Sequence, residues 1–441
     1  MIKEISAGHK VWLLLLLVPA LSLPIVAGSL LRPISDDYCY VASVSQSGVL
    51  GFTVEQSTGW SGALLTNTFA ALFGWIQQIS FQHAYVALLL LTFSLTFLAF
   101  SLFTLNCLHK GRKGRFSTSI ASGILLGLTF LVSNFGIPVR PDSYEFPYGY
   151  TTLGWGAAIL SQFLPNLVLL ITAGLLIFRT AKTASWISPF ILILSAALPL
   201  LSIQVGVAWI LFSLAYVFRS AQREDRPRPS SFAPATIGFV FTLLNVLSPG
   251  SLNRRSVITD VGSGDALSGL LRSIAFSLDS FFSALFVVGL VSGVGVAVLF
   301  AKSPRINPPH VQMYLLLSVS VLVSVVATDT FGAYEPWHQT GWRLSVFLVA
   351  VLLGTVVVRI WATRNRPLMD GKIKPIVVTS IWILWITFLS VQTVLIASFL
   401  NQRAANAASG GPNPVAWIAD IEIDWIRNCA VRNSSEAVKQ E

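Results

Sequence analysis

The sequence predicts an all-α, polytopic transmembrane protein of about eleven spans. Three observations carry that prediction. The chain of 441 residues is 54% hydrophobic and only 11% charged, against about 25% charged in a soluble domain. Apolar runs of roughly 17–25 residues recur along its whole length, each long enough to cross a bilayer. Basic residues cluster in short loops between those runs, the pattern of cytoplasmic loops beside anionic lipid. The net charge of +10 is therefore a membrane signature. No basic stripe interleaved with aromatics occurs in a soluble segment, which argues against nucleic-acid binding.

The first span runs over Val11–Leu31. It is too long for the apolar core of a cleaved signal peptide and is expected to be retained. The second covers Ala84–Asn106, the third Ser119–Pro138 and the fourth Trp155–Phe178. Trp186–Phe218 is too long for one crossing, and both its ends carry basic loops, so it divides into two short helices turning near Ser202–Gly206. The remaining spans are Phe232–Leu247, Ile274–Phe300, Met313–Thr328, Gly341–Val358 and Ile376–Leu400.

With the N-terminus in the cytoplasm, most lysines and arginines fall on the cytoplasmic side and most acids on the other. Residues 1–400 then form one membrane domain of the cell membrane. Residues 32–83 make its first extracytoplasmic loop, and 401–441 a polar extracytoplasmic tail. From Gly59 to Ile79 apolar residues recur at helical spacing, as in an amphipathic helix lying in the interface. Chemistry is expected in the outer loops, because the cytoplasmic loops are short and basic and hold no catalytic-looking cluster.

Asp36 and Asp37 stand side by side just beyond the first span. An ionised pair at a lipid boundary is costly unless something uses it. One carboxylate would suffice to cap a helix; two repel each other, which suits a site where one acid is a base and the other holds a cation, a hydroxyl or a turn. Arg254 and Arg255 follow the sharp turn Pro249-Gly250 where a lipid headgroup would lie; anchoring to bulk anionic lipid is the competing reading. The loop from Asp329 to Arg343 mixes aromatics with Glu335, His338 and Arg343, a lining suited to a sugar pocket, although Trp and Tyr alone would read as an interfacial belt. Asp142 and Glu145 occupy a similar loop, where a polar turn explains them equally well. Asp279 lies inside the eighth span, a position that is functional by default.

The long first helix, Asp36-Asp37-Tyr38 just past it, an amphipathic stretch containing Trp60-Ser61-Gly62, and many further spans together resemble the GT-C superfamily of glycosyltransferases. The likeness is greatest to bacterial members related to mannosyl-, aminoarabinosyl- and O-antigen glucosyltransferases. Trp60-Ser61-Gly62 is similar to a Trp-x-Gly-Arg element, with Ala63 at the arginine position. Ser248-Pro249-Gly250-Ser251-Leu252-Asn253-Arg254-Arg255 is similar to a Pro-Gly-Asn-x-x-Arg element, with Ser251 at the asparagine.

The resemblance implies transfer of a sugar from a polyprenyl-phosphate donor to a lipid, glycan or protein acceptor on the extracytoplasmic face. Asp36 or Asp37 would act as base or hold the acceptor, with inversion if displacement is direct. Tyr38, Trp60, Asp142, Glu145, Asp279, Glu335 and His338 would contact substrate. Arg254, Arg255 and Arg343 would stabilise the departing phosphate. A transporter or flippase of lipid-linked glycans, or a polymerase or ligase of them, would share the same apolar body. A transporter, however, should gather ionisable groups at the midplane.

No two of His9, His83, His109, His310 and His338 fall at metal-ligand spacing, which leaves open a divalent cation held by oxygen ligands between carboxylates and phosphate. No nucleotide-binding motif is present. The three cysteines, Cys39, Cys107 and Cys429, are too few and too scattered for a disulfide scaffold or a zinc site; Cys39 and Cys429 fall on the same side, so a bridge between them is the competing reading, but unpaired thiols are expected.

Overall fold

The computed structural model describes residues 18, 21–28, 36–108, 115–136, 153, 156–178, 187–221, 229–254, 266–281, 284–300, 307–331, 340–364 and 387. Every regular element among them is helical. We number them α1 (21–28), α2 (Asp36–Gly59), α3 (Leu64–Ile79), α4 (Phe81–Leu108), α5 (Arg115–Gly136) and α6 (Gly156–Phe178). Then follow α7 (Ile187–Leu201), α8 (Ile203–Ala221), α9 (Ala233–Val246), α10 (Ala266–Phe281), α11 (Ala284–Phe300), α12 (Pro308–Phe331) and α13 (Thr340–Arg364).

The chain is a multi-pass helical membrane protein, but the expectation of about eleven spans is overturned. Six helices among the described residues are long and apolar enough to cross a membrane: Phe81–Cys107, Gly156–Phe178, Ile203–Ser220, Pro229–Val246, Pro308–Thr328 and Thr340–Trp361. Three apolar stretches, Ser119–Ser133, Ser188–Leu201 and Leu285–Val298, are shorter. At 1.5 Å per residue a helix of such length reaches only about 20–25 Å, against a hydrocarbon core of about 30 Å. The run Ile274–Phe300, read as one span, belongs to two helices, α10 and α11. Its first part is therefore the end of an amphipathic helix. The first and eleventh expected spans, Val11–Leu31 and Ile376–Leu400, lie outside the described residues except at 18, 21–28 and 387.

The expected break near Ser202–Gly206 is present, with α7 and α8 separated by Ser202 alone. A Cβ on Gly206 would lie 3.0 Å from Pro199 Cβ, whereas seven residues of straight helix span about 10 Å. The chain therefore folds back sharply. Asn245 Nδ2 donates to the carbonyl of Pro199 at 2.6 Å, which satisfies a backbone oxygen near the turn.

The core is an aromatic cluster shared by four helices. Phe100 of α4, Phe130 of α5 and Phe347 of α13 have ring centroids 5.2–5.7 Å apart. Phe163, in a π-helical turn of α6 (Ile159–Phe163), stacks on Phe130 at 6.0 Å. Against it, α11 and α13 pack through small residues. A Cβ on Gly293 would sit 2.1 Å from Val351 O, and one on Gly354 would sit 2.2 Å from Leu290 O. Gly289 and Gly293 form a small-x-x-x-small stripe, which lets helix backbones approach closely in lipid.

Two shorter helices present an inverted face. On α3 the exposed residues are Leu64, Phe69, Leu72, Trp75 and Ile79, and the buried ones include Thr66, Asn67 and Gln77. On α10 Leu267, Leu271, Ile274 and Leu278 point outward, while Ser273 and Ser277 are buried. Apolar residues outward and polar residues inward is the order a helix takes against lipid, with its polar groups turned to the protein.

The α11–α13 seam yields a prediction. Gly293→Leu forces the two backbones apart and should cost about 1–3 kcal/mol. The thermal midpoint of the purified protein in detergent should fall by several degrees. Gly59→Ala, where a Cβ meets nothing within 4 Å, should leave it unchanged.

Candidate functional site

Of the sequence candidates, Trp60, Arg254 and Asp37 fall at two places, one at each end of the α2–α3 pair. At the first, the end of α2 and the turn into α3 meet the chain that leaves α9. Trp60 N and Ser61 N donate to Gln56 O at 3.0 and 2.8 Å, closing α2. Asn67 Nδ2 reaches back from α3 to Ser57 Oγ at 3.0 Å and Ser61 O at 2.8 Å.

From the other side, Ser251 Oγ donates to Asn245 Oδ1 at 3.2 Å and accepts from Gly62 N at 3.1 Å. Asn253 Nδ2 donates to Thr58 O at 3.4 Å. Two glycines make the approach possible. A Cβ on Gly62 would lie 1.9 Å from Ser248 Oγ, and one on Gly250 would lie 2.5 Å from Ser57 O. The two motifs singled out in the sequence, 188 positions apart from Trp60 to Ser248, are thus stitched into one platform. On it the Arg254 guanidinium lies over the Trp60 ring, 5.4 Å from its centroid. Trp60 is 41% exposed, so indole and guanidinium are presented together at the surface.

The second place is built on Asp37, which is 0% exposed. Ala157 N donates to its Oδ1 at 3.0 Å and Gly156 N to its Oδ2 at 3.3 Å. The Tyr85 hydroxyl also donates to Oδ2. Asp37 therefore caps the N-terminus of a helix far along the chain, where unpaired backbone N–H groups and the helix dipole favour an anion. Phe73 packs edge-on to Tyr85 at 5.3 Å. It also lies where a Cβ on Gly156 would clash at 2.4 Å, so only glycine fits at the head of α6. Phe73 is nine residues beyond Leu64 in α3, about 14 Å along the axis. The carboxylate and the Trp60–Arg254 pair are consequently separate features.

Arg343 is half-buried on the first turn of α13. Beside it, Gly341 packs against Asn166 of α6, and Trp342 Nε1 donates to Ser277 O at 2.8 Å. Asp36 and Tyr38 lie in α2 and Asp279 in α10, but their side chains are outside the described set, as are Asp142, Glu145, Arg255, Glu335 and His338 altogether. Among the described residues, no three His, Cys, Asp or Glu side chains come together as a metal site would require.

Sequence reasoning missed Tyr85 and Gly156, since their partnership with Asp37 spans 48 and 119 residues. It also missed two glutamines. Gln77 is 2% exposed and neither polar atom of its amide has a partner; Gln162 Oε1, in the π-helical turn, has none either. A polar amide inside an apolar helical run was the available signal, and π-helical turns often mark functional positions. The expectation of unpaired thiols is corrected in part. Cys39 is disulfide-bonded, while Cys107 is free and buried.

These features define an integral-membrane helical protein with a guanidinium–indole platform and a buried carboxylate anchor. No family model matches the chain, and no match was found among curated proteins or solved structures.

The anchor makes a second prediction. Tyr85→Phe removes a hydroxyl donor from a buried carboxylate and should cost about 1.5–3 kcal/mol, as for hydrogen bonds to charged groups. Asp37→Ala should cost more, and the double variant should cost clearly less than the sum, as expected of contacting residues. Unfolding of the purified protein in detergent, run as a double-mutant cycle, measures all three.

Proposed function

We propose that the protein is a membrane glycosyltransferase that moves a sugar from a polyprenyl-phosphate donor to a lipid, glycan or protein acceptor on the extracytoplasmic face. The observation that carries this reading is the Trp60–Arg254 pair on its stitched base. A lipid-phosphate sugar offers an anion and an apolar sugar face side by side. A guanidinium binds phosphate oxygens in a fixed fork, and an indole stacks on sugar C–H groups. The likeness of these two segments to GT-C elements agrees with that chemistry.

In this reading Arg254, with Arg255, stabilises the phosphate as it departs, while Arg343 lies elsewhere, beside the contacts of α13 with α6 and α10. Asp37, with no exposed surface and its carboxylate engaged by α6 and Tyr85, is a positioning residue. Asp36, its neighbour in α2, stands at the same end, away from the Trp60–Arg254 pair, and so is not placed to act on the carbon whose phosphate Arg254 holds.

The test is transfer from a short-chain polyprenyl-phosphate sugar in proteoliposomes. Arg254→Ala should raise the KM for donor by roughly 10–100-fold, the loss of one charge-assisted contact, with Arg254→Lys recovering part. Asp36→Asn, at the other end of α2, should leave the donor KM unchanged. Asp37→Asn should lower stability and activity together. An unchanged donor KM in Arg254→Ala would remove the phosphate assignment.

A further inference from the structure

Gln77 is 2% exposed. Among the described residues it is the one side chain with two buried polar atoms, Nε2 and Oε1, and a partner for neither. An orphaned amide in a dry interior is costly, and native proteins almost always pair such groups. Its helix is seated so that Gln77 cannot turn outward. Three residues before it, a Cβ on Gly74 would lie 2.8 Å from Tyr40 O, so the backbones of α2 and α3 touch and the rotation of α3 is fixed. One turn before it, Phe73 packs on Tyr85 and on the head of α6 at Gly156. Helix α3 also packs on the π-helical turn Ile159–Phe163. In that turn Gln162 Oε1 is buried and has no partner either.

We propose that the seam between α3 and the start of α6 is a binding site of its own, that it takes a neutral, hydroxyl-rich ligand the size of one sugar ring, and that Gln77 is its main contact with Gln162 as a second. The orphaned atoms select that chemistry. They offer one amide donor group and two carbonyl acceptors. An anion only accepts hydrogen bonds and would leave both carbonyls unmet. An ammonium only donates and would leave Gln77 Nε2 unmet. A hydroxyl does both, and a sugar ring carries several within reach of one another. The π-helical turn agrees with this, since such turns recur at functional positions.

The site is distinct from the Trp60–Arg254 pair. Gln77 is thirteen residues beyond Leu64 in α3, about 20 Å along the axis. It lies at the Asp37 end, one turn past the Phe73 ring that borders Gly156. The inference holds whether or not the protein transfers a sugar.

The experiment uses the purified full-length protein in an amine-oxide detergent, which has no sugar headgroup, with methyl α-D-glucopyranoside as the probe. The thermal midpoint should rise with probe concentration and saturate. Gln77→Met keeps the length of the side chain and removes both polar atoms. It should raise the apparent Kd for the probe at least about tenfold, and Gln162→Met should raise it less. Arg254→Ala should leave it unchanged, so this site and the glycosyltransferase reading can fail separately. Without probe, Gln77→Met should unfold at or above the wild-type midpoint, because the amide has no protein partner to lose. No saturable rise in the wild type, or an unchanged Kd in Gln77→Met, would overturn the site. Loss of the response in Arg254→Ala would move the ligand to the Trp60–Arg254 pair and overturn it too. A fall of several degrees in probe-free Gln77→Met would show that a buried water already satisfies the amide, and the site would be withdrawn.

Discussion

A buried carboxyl group needs hydrogen-bond partners for its oxygens, and that constraint organises the amino-terminal part of this protein. Desolvating such a group costs several kcal/mol. The head of a helix has the complementary problem, because its first N–H groups lack acceptors. Asp37 and α6 solve both at once, with the Tyr85 hydroxyl completing the shell. The consequence is architectural. Helices α2, α4 and α6 meet at one carboxyl group, and Phe73 of α3 closes the gap that Gly156 leaves.

The other end of α2 is held by different means. There the chain relies on absent side chains: Gly62 and Gly250 bring two segments into backbone contact, and Asn67, Asn245 and Ser251 satisfy the groups that contact buries. The result is a stiff platform built from short polar residues, suited to presenting a large aromatic and a cation without moving them. The two ends together mean that α2 and α3 are fixed by capping at one extremity and by glycine-mediated packing at the other. Between them, Gly48 turns the helix with φ of 72°, a backbone state that a residue with a Cβ adopts only at a cost.

Much of this was legible in the sequence where the signal is local. Hydropathy gave the membrane class, the charge of the flanking loops gave the break at Ser202, and the apolar spacing after Gly59 gave α3. What depends on distant partners was not legible. Nothing near Asp37 announces Tyr85 or Gly156, so the adjacent acids read equally well as a reactive pair. Hydropathy also could not see that Ile274–Phe300 changes helix in mid-run, because both pieces are apolar on the side that faces lipid. Gly289 and Gly293 on α11 and Gly354 on α13 drew no notice, because what a glycine packs against depends on a helix distant in sequence. The stitched platform was half legible: both of its motifs drew notice, but their contact is a property of the fold.

The outward ridge of α3 bears on how this molecule can be handled. Leu64, Phe69, Leu72, Trp75 and Ile79 face away from the protein, so their shelter is whatever amphiphile encircles it. A long-chain surfactant collar gives that ridge a medium like the one it was built for. A thin collar leaves it wet along its length, at a cost in stability proportional to the apolar area exposed. Because the Trp60 turn leads directly into α3, the amphiphile that borders the ridge also borders the indole and Arg254.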